Sequence, residues 1–430
     1  MLARWYASTF EALAVPQFRI LWWGSTVASL AFMMTRTVQS VVAFDLAGNS
    51  AAVGVVALGS GVTMIFIGPL GGVLADRLSK RRVLLFGQTF VGFCFLTIGL
   101  LILTDRLTIP LLVLLSATMG LSFSFIGPTR QAYVGEVVPR DLLPNAVALS
   151  QLSMGFARVF SPMVAGGLIA WSFSGTGGTY LVMASIFIVV VATLSLLPPS
   201  RPASSGRSMS ADFVAGIAHV RDRPRLMLLV LSFIVVVIVG MPYVTVLPAL
   251  LERELDSSTE AIGILFTVEA IGGLITGLAV AGSVRGDAAW RLMLVLGVLF
   301  GVALVGLAVA PTLALAMPAI FFMGVGLTGF QLTNNALLMM EAEEAYFGRV
   351  MSLVMLAWGG QGLTAFPLGL LADSIGERAT LAIEGVIVAV TVVVTGFAYA
   401  AIKRRHPELL EPPEPSSEGL EAGGAVAGGS

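Results

Sequence analysis

Long runs of apolar residues, separated by short polar connections, dominate the chain from near Ile20 to about Ile402. A membrane-crossing helix needs about 20 predominantly apolar residues, at roughly 1.5 Å of rise each. Twelve runs meet that length: 19–45, 51–75, 83–104, 109–133, 143–171 and 178–197, then 225–250, 260–282, 290–310, 312–338, 348–372 and 379–402. The first is too long for the core of a secretory leader and reads as a span. Gly68-Pro69, Gly127-Pro128, Pro162, Pro242 and Pro367 fall inside runs. Neighbouring helices in a bundle can satisfy the backbone groups that proline frees, so these positions predict kinks rather than ends.

Composition agrees. Hydrophobic residues make up 57% of the chain and charged residues 11%, against roughly 25% charged in soluble proteins. Lipid must therefore face much of the apolar surface. A formal net charge of −1 offers no basic field for a nucleic-acid partner. Cys94 cannot form an internal disulfide, and His219 and His406 lie far apart, so no metal or other cofactor is expected.

Basic residues cluster at one set of loops. Arg77, Lys80, Arg81, Arg82, Arg140, Arg221, Arg223, Arg225, Arg285, Arg291, Arg349 and Lys403 fall on the same side as the N-terminus, whereas only Arg106, Arg253 and Arg378 fall on the other. The positive-inside rule then places both termini in the cytoplasm of a cell inner or plasma membrane. The polar stretch 198–224, rich in Pro and Ser and ending in a short amphipathic helix, predicts a linker between bundles at 1–197 and 225–402; the Pro/Glu/Gly/Ser-rich tail 403–430 predicts disorder. The halves share a register of 209 residues: Gly54 with Gly263, Gly68 with Gly277, Arg82 with Arg291, Gly120 with Gly329 and Arg140 with Arg349. Parallel repeats of this kind are a known transporter plan.

Between the second and third runs stands Gly72-Val-Leu-Ala-Asp76-Arg77-Leu-Ser-Lys80-Arg81-Arg82. The small residues allow close helix approach, Asp76 can face a helix N-terminus, and Lys80, Arg81 and Arg82 can anchor the loop at an anionic leaflet. This segment resembles the cytoplasmic loop signature of the major facilitator superfamily, with Ser79 in place of the usual Gly. The segment from Pro128-Thr-Arg130 to Asn145-Ala, with Phe18-Arg19-Ile-Leu-Trp22, resembles the superfamily's drug:proton antiporters, the branch of the enterobactin exporter and macrolide efflux pumps. The resemblance implies an all-α membrane protein of twelve transmembrane helices in two pseudo-symmetric six-helix bundles, and an Arg130–Asp76 latch. In the fifth run, Ala157-x-x-x-Ser161-Pro162-x-x-Ala165-Gly166-Gly167 resembles the antiporter motif that the family associates with export; a packed proline kink is the plainer alternative.

Ionisable residues within spans default to functional hypotheses. Arg36, Asp45, Arg158 and Glu269 are such residues. The expected arrangement pairs Glu269 with Arg158 or Arg36 as a proton-coupled switch, against the alternative of a static salt bridge. Glu384, near the outer end of the last run, is expected to reach the membrane interface. Gln39, Tyr243, Gln331, Trp358 and Gln361 are candidate cavity residues, with ordinary helix–helix hydrogen bonding as the alternative.

Gly324-x-Gly326-x-x-Gly329 matches a dinucleotide fingerprint as text but lies inside an apolar run without a preceding strand. No G-x-x-x-x-G-K-[ST] loop occurs, and no Ser-His-Asp set shares a compartment, so neither ATP hydrolysis by that loop nor a membrane enzyme is expected. The resulting expectation is a monomeric exporter of a small amphipathic molecule (drug, siderophore or metabolite), exchanging protons by alternating access within membrane lipid. A facilitator or importer of the same fold and a non-transporting sensor remain alternatives.

Overall fold

The computed structural model describes residues 10–77, 79–171, 175–200, 217–257, 261–280, 286–343 and 346–405; the side chains at 68–77, 158, 159, 347–349, 351, 352 and 355 are among those outside that description. Most of the expected amphipathic helix before residue 217 and the tail beyond 405 also lie outside it.

Helices follow the apolar runs. They are α1 (Pro16–Ala47), α2 (Ser50–Arg77), α3 (Lys80–Leu103), α4 (Ile109–Val137), α5 (Leu143–Ala170) and α6 (Gly175–Ser195), then α7 (Pro224–Glu254), α8 (Ile262–Val280), α9 (Gly286–Val309), α10 (Leu313–Glu341), α11 (Phe347–Ile375) and α12 (Glu377–Arg405). Eleven helical spans are long and apolar enough to cross a membrane, and α11, only partly described, is a further helix of 29 residues. Prolines at the first turn start α1, α4, α5 and α7, where the missing N–H has no partner to lose. Ser79 caps α3 by accepting a bond from the Arg82 amide, which gives this departure from the loop signature a local role.

The chain runs through Pro128, Pro162 and Pro367 without a break. Pro242 behaves differently from the expected kink. One segment of α7 ends at Gly240 and the next starts at Tyr243, before a last π-type turn, Leu250–Glu254. The proline ring cannot continue the hydrogen-bond ladder, and the break re-aims Tyr243.

Within the N-terminal bundle, α1 is zipped to α5. Trp22 Nε1 donates to the Leu149 carbonyl at 2.8 Å, the Thr26 and Ser153 hydroxyls meet at 2.7 Å, and Asn145 Oδ1 accepts from the Ala12 amide at 3.1 Å. In the C-terminal bundle, the glycines of the rejected dinucleotide pattern are packing residues. A Cβ on Gly324 would lie 1.9 Å from the Glu269 carbonyl oxygen, and one on Gly326 would lie 2.5 Å from the Phe300 nitrogen. Gly324→Ala must therefore push α10 off α8. The expected result is a loss of about 1–3 kcal/mol, read as a lower thermal midpoint in detergent; an unchanged midpoint would contradict this packing.

The bundles meet along the seams of α2 with α11 and α5 with α8, and the Tyr243–Ala249 segment of α7 also packs on α1 and α2. Gly61 and Gly362 face each other, a Cβ on either falling 2.7 Å from the other's Cα. Gly166 and Gly263 come closer, at 2.4 and 2.3 Å by the same measure. Gly54, in register with Gly263, would place a Cβ 2.4 Å from the Ala365 carbonyl oxygen. Gly54 and Gly263, matched by the repeat read from the sequence, thus stand at one of these contacts each.

Candidate functional site

Tyr243, re-aimed by the break in α7, is buried at 2% exposure. Its hydroxyl donates to Glu269 Oε2 of α8 at 2.6 Å. Arg36 of α1 is exposed on the side of its helix and acts electrostatically on the same phenol. The structure therefore brings Glu269 and Tyr243 into contact, with Arg36 of the other bundle in electrostatic reach of the phenol. Among the described contacts Glu269 is held by Tyr243 and makes no ion pair with Arg36, the one of its two expected arginine partners that can be placed. The Arg158 side chain lies outside the described residues. Asp45 does not join the group; it stands at the far rim of the N-terminal bundle in a cleft with Asp105 and Thr176.

The other cavity candidates scatter. Gln331 is buried in α10. Trp358 packs edge-on against Phe233 at 6.4 Å, next to half-buried Gln361. Gln39 holds its amide nitrogen buried without a hydrogen-bond partner. Between α7 and α11, towards the basic loops, lies an apolar cavity of about 320 Å³ lined by Met227, Ile234, Ile238, Leu353 and Ala357.

The antiporter-like motif is a contact surface. Ser161 and Ala165 are buried, Pro162 stays within the helix, and Gly166 meets Gly263 across the seam.

The basic loop differs from expectation. Lys80 is 4% exposed and ion-paired to Glu136. Arg81 donates to the Leu194 carbonyl at 3.4 Å and to the Ser195 carbonyl at the end of α6. These two cations serve protein partners rather than lipid, because α6 presents its C-terminal carbonyls to them; Arg82 is exposed. Arg130 donates to Ser29 Oγ at 3.3 Å. The side chains of Gly72, Asp76 and Arg77 lie outside the described residues.

At the opposite end the bundles are joined by polar contacts that the sequence reading missed. Asp373, at the end of α11, accepts from the Ser50 and Ala51 amides at 2.9 and 2.8 Å, capping α2 of the other bundle. Arg253 donates to Glu377 at 2.8 Å and to the Gly48 carbonyl of the other bundle, over the Phe44 ring at 5.8 Å. A signal for Asp373 was present: Gly369-Leu-Leu-Ala-Asp373 repeats Gly72-Val-Leu-Ala-Asp76. A Cβ on Gly369 would lie 2.5 Å from the Ser50 carbonyl oxygen, so the glycine lets the aspartate reach the amides.

Comparison with known proteins agrees with this architecture. The Staphyloferrin A transporter of Staphylococcus aureus is 23% identical over 349 residues, 79% of this chain and 85% of that protein. The Enterobactin exporter EntS of Shigella flexneri is 32% identical over 144 residues, which is 31% of this chain and only 33% of the exporter. Among solved structures, a bacterial homologue of the human lysosomal transporter Spinster, inward-facing and unoccupied, superposes with a TM-score of 0.71 at 15% identity, covering 93% of this chain and 99% of that one. The nucleoside transporter NupG gives a TM-score of 0.70 at 14% identity, covering 90% and 98%. These two likenesses speak for the fold. The sequence model of the Major Facilitator Superfamily matches residues 21–362, and the chain belongs to that family.

Proposed function

We propose that this protein exports a small amphipathic molecule, of the siderophore or drug class, in exchange for protons. The observation that carries the reading is Glu269, a carboxylate within a span, held by the Tyr243 hydroxyl on which the Arg36 charge of the other bundle also acts. An intramembrane carboxylate so placed is suited to exchange a proton for a substrate. Arg36 offers a cation to an anionic substrate group, and the aliphatic wall between α7 and α11 accepts its apolar part. The named siderophore proteins among the relatives support the substrate class.

The basic loops are assigned to the cytoplasm, with both termini, in a plasma membrane. On that assignment, Asp373 and Arg253 close the outer end, and the cavity opens inward. Asp76 and Arg130 form the opposing latch at the cytoplasmic end. Residues 198–224 link bundles at 1–197 and 225–402. The chain acts as a monomer.

The test uses proteoliposomes with an imposed pH gradient and a panel of staphyloferrin A, enterobactin and amphipathic drugs. Flux of at least one compound should require the pH gradient and run against the compound's own gradient. Flux only down the compound's gradient would make the protein a facilitator. Pumping coupled in the same direction as the protons would make it an importer.

A further inference from the structure

Glu384 is the one glutamate among the described residues whose side chain is fully enclosed and whose two carboxyl oxygens both lack a hydrogen-bond partner. The expected position at the membrane interface is wrong. The last helix is apolar on all sides, so hydropathy gave no rotational phase, and the structure turns this residue inward. Gly385 packs against Gly301 of α9, and Val388 against Gly240 of α7, so this face of α12 looks into the bundle. Glu384 lies one turn outward of Val388, as Tyr243 lies one turn outward of Gly240. The two residues therefore sit at similar depth, and Glu384 acts electrostatically on the Tyr243 phenol.

The ionisable groups on every helix packed against α12 can be placed. On α9 they are Asp287 and Arg291, at the basic end; on α7, Arg225 lies at that same end and Glu252, Arg253 and Glu254 at the other; on α11, Asp373 lies at the far end and Arg349, whose side chain is outside the described residues, at the basic end, where α12 carries its own Tyr399, Lys403, Arg404 and Arg405. On α12 itself, Glu377 and Arg378 stand at the far end, engaged by Arg253 and Glu254 at 2.8 and 2.7 Å. Among the described residues only Tyr243 stands at the depth of Glu384, with Glu269 beyond it and the charge of Arg36 in reach of the same phenol. A carboxyl in this setting is stable when it carries its proton, since neither a counter-charge nor a donor compensates the anion.

We propose that Glu384 is a second proton-binding site, sharing one proton with Glu269 across Tyr243. Two carboxyls that act on one phenol cannot both ionise without mutual cost. Glu384 has no hydrogen-bond partner in this conformation, so the transfer takes place where motion of the bundles brings it to the Tyr243 hydroxyl, which gives its proton to the Glu269 carboxylate and takes one from the Glu384 acid. Glu384 becomes the anion, Glu269 becomes the acid, and the phenol is unchanged. When motion of the bundles brings Arg36 closer to Glu269, the proton moves to Glu384, where it is kept from water. The inference deepens the proposed proton exchange and rests on it for its physiological role, but the site can be tested without transport.

The test is infrared difference spectroscopy of the purified full chain between mildly acidic and mildly alkaline buffer, in H₂O and D₂O. The wild type should show a protonated-carboxyl band that shifts in D₂O. Glu384→Gln should remove that band and move the midpoint of the remaining carboxylate titration by about one pH unit, a tenfold change in proton affinity. Tyr243→Phe should change the frequency of the band and, if Glu384→Gln does not fold, carries the test alone. A band that survives Glu384→Gln unchanged, or that ignores Tyr243→Phe, overturns the proposal. Failure of pH-driven flux with these spectral changes intact would instead overturn proton exchange and leave the site standing.

Discussion

Asp373→Ala is expected to open the far end of the protein without unfolding it. The carboxylate satisfies two amides at the start of α2, at 2.9 and 2.8 Å, and those amides belong to the opposite bundle. Bonds from backbone amides to a charged acceptor contribute about 1.5–3 kcal/mol each when buried, but this site is partly wet. The start of α2 also keeps a cap of its own, since Asn49 Oδ1 accepts from the Ala52 amide at 2.8 Å. A net loss of about 2 kcal/mol from the closed state is therefore reasonable, a shift of roughly 30-fold in the ratio of closed to open. Only the conformation in which the bundles touch at this end makes the contact, so its loss acts on the equilibrium between conformations and not on either bundle alone. Pulsed electron–electron distance measurements between spin labels at positions 49 and 374, in a Cys94→Ser background, should show a longer component become dominant. An unchanged distance distribution would reduce Asp373 to a local helix cap.

The repeated Gly-x-Leu-Ala-Asp gives this result a counterpart. α2 and α11 run antiparallel along one seam, and each ends in the same five-residue pattern. If Asp76 caps the start of α11 in the opposite conformation, Asp76→Ala should shift the same distances the other way. The double variant should then return towards the wild-type distribution, because both states lose a comparable contact.

How legible these features were depends on what each one rests on. The spans were legible because lipid demands length and apolarity, both written directly in the runs. The pairing of Gly54 and Gly263 was legible because a duplicated bundle repeats its close-packing positions. The Glu384 face was not legible: a helix that is apolar all round carries no stripe to say which side meets the protein. Lys80 and Arg81 sat in a loop where the topology rule already explained them, so nothing in the local sequence pointed to Glu136 or to the carbonyls at the end of α6. Glu269 was identified as a charge in a span, but its hydrogen bond was not, because the Pro242 break reorients Tyr243 by an amount no residue pattern specifies.

Glu269→Gln is expected to separate exchange from pumping. The amide keeps the side chain's size and can still accept from the Tyr243 hydroxyl at its 2.6 Å position, so this contact should form as before. What it loses is the ability to change charge. If Glu269 carries the proton, flux driven by a pH gradient should fall by about two orders of magnitude, the scale seen when a proton-transferring group is removed. Substrate-for-substrate exchange across the same proteoliposomes, which needs movement of the bundles but no net proton transfer, should persist. Tyr243→Phe should give a milder phenotype: the half-buried carboxylate loses one donor, at a cost of about 1 kcal/mol, and pH-driven flux falls by about tenfold with exchange retained. The contrast between the two modes is decisive. Equal loss of pumping and exchange in Glu269→Gln would mean that the residue holds the structure or the substrate, and the static salt bridge with a neighbouring arginine would then be the better account. Loss of pumping alone requires a group whose charge must alternate between the two conformations, and in that arrangement Tyr243, fixed by the break in α7, is the group that reports which state Glu269 is in.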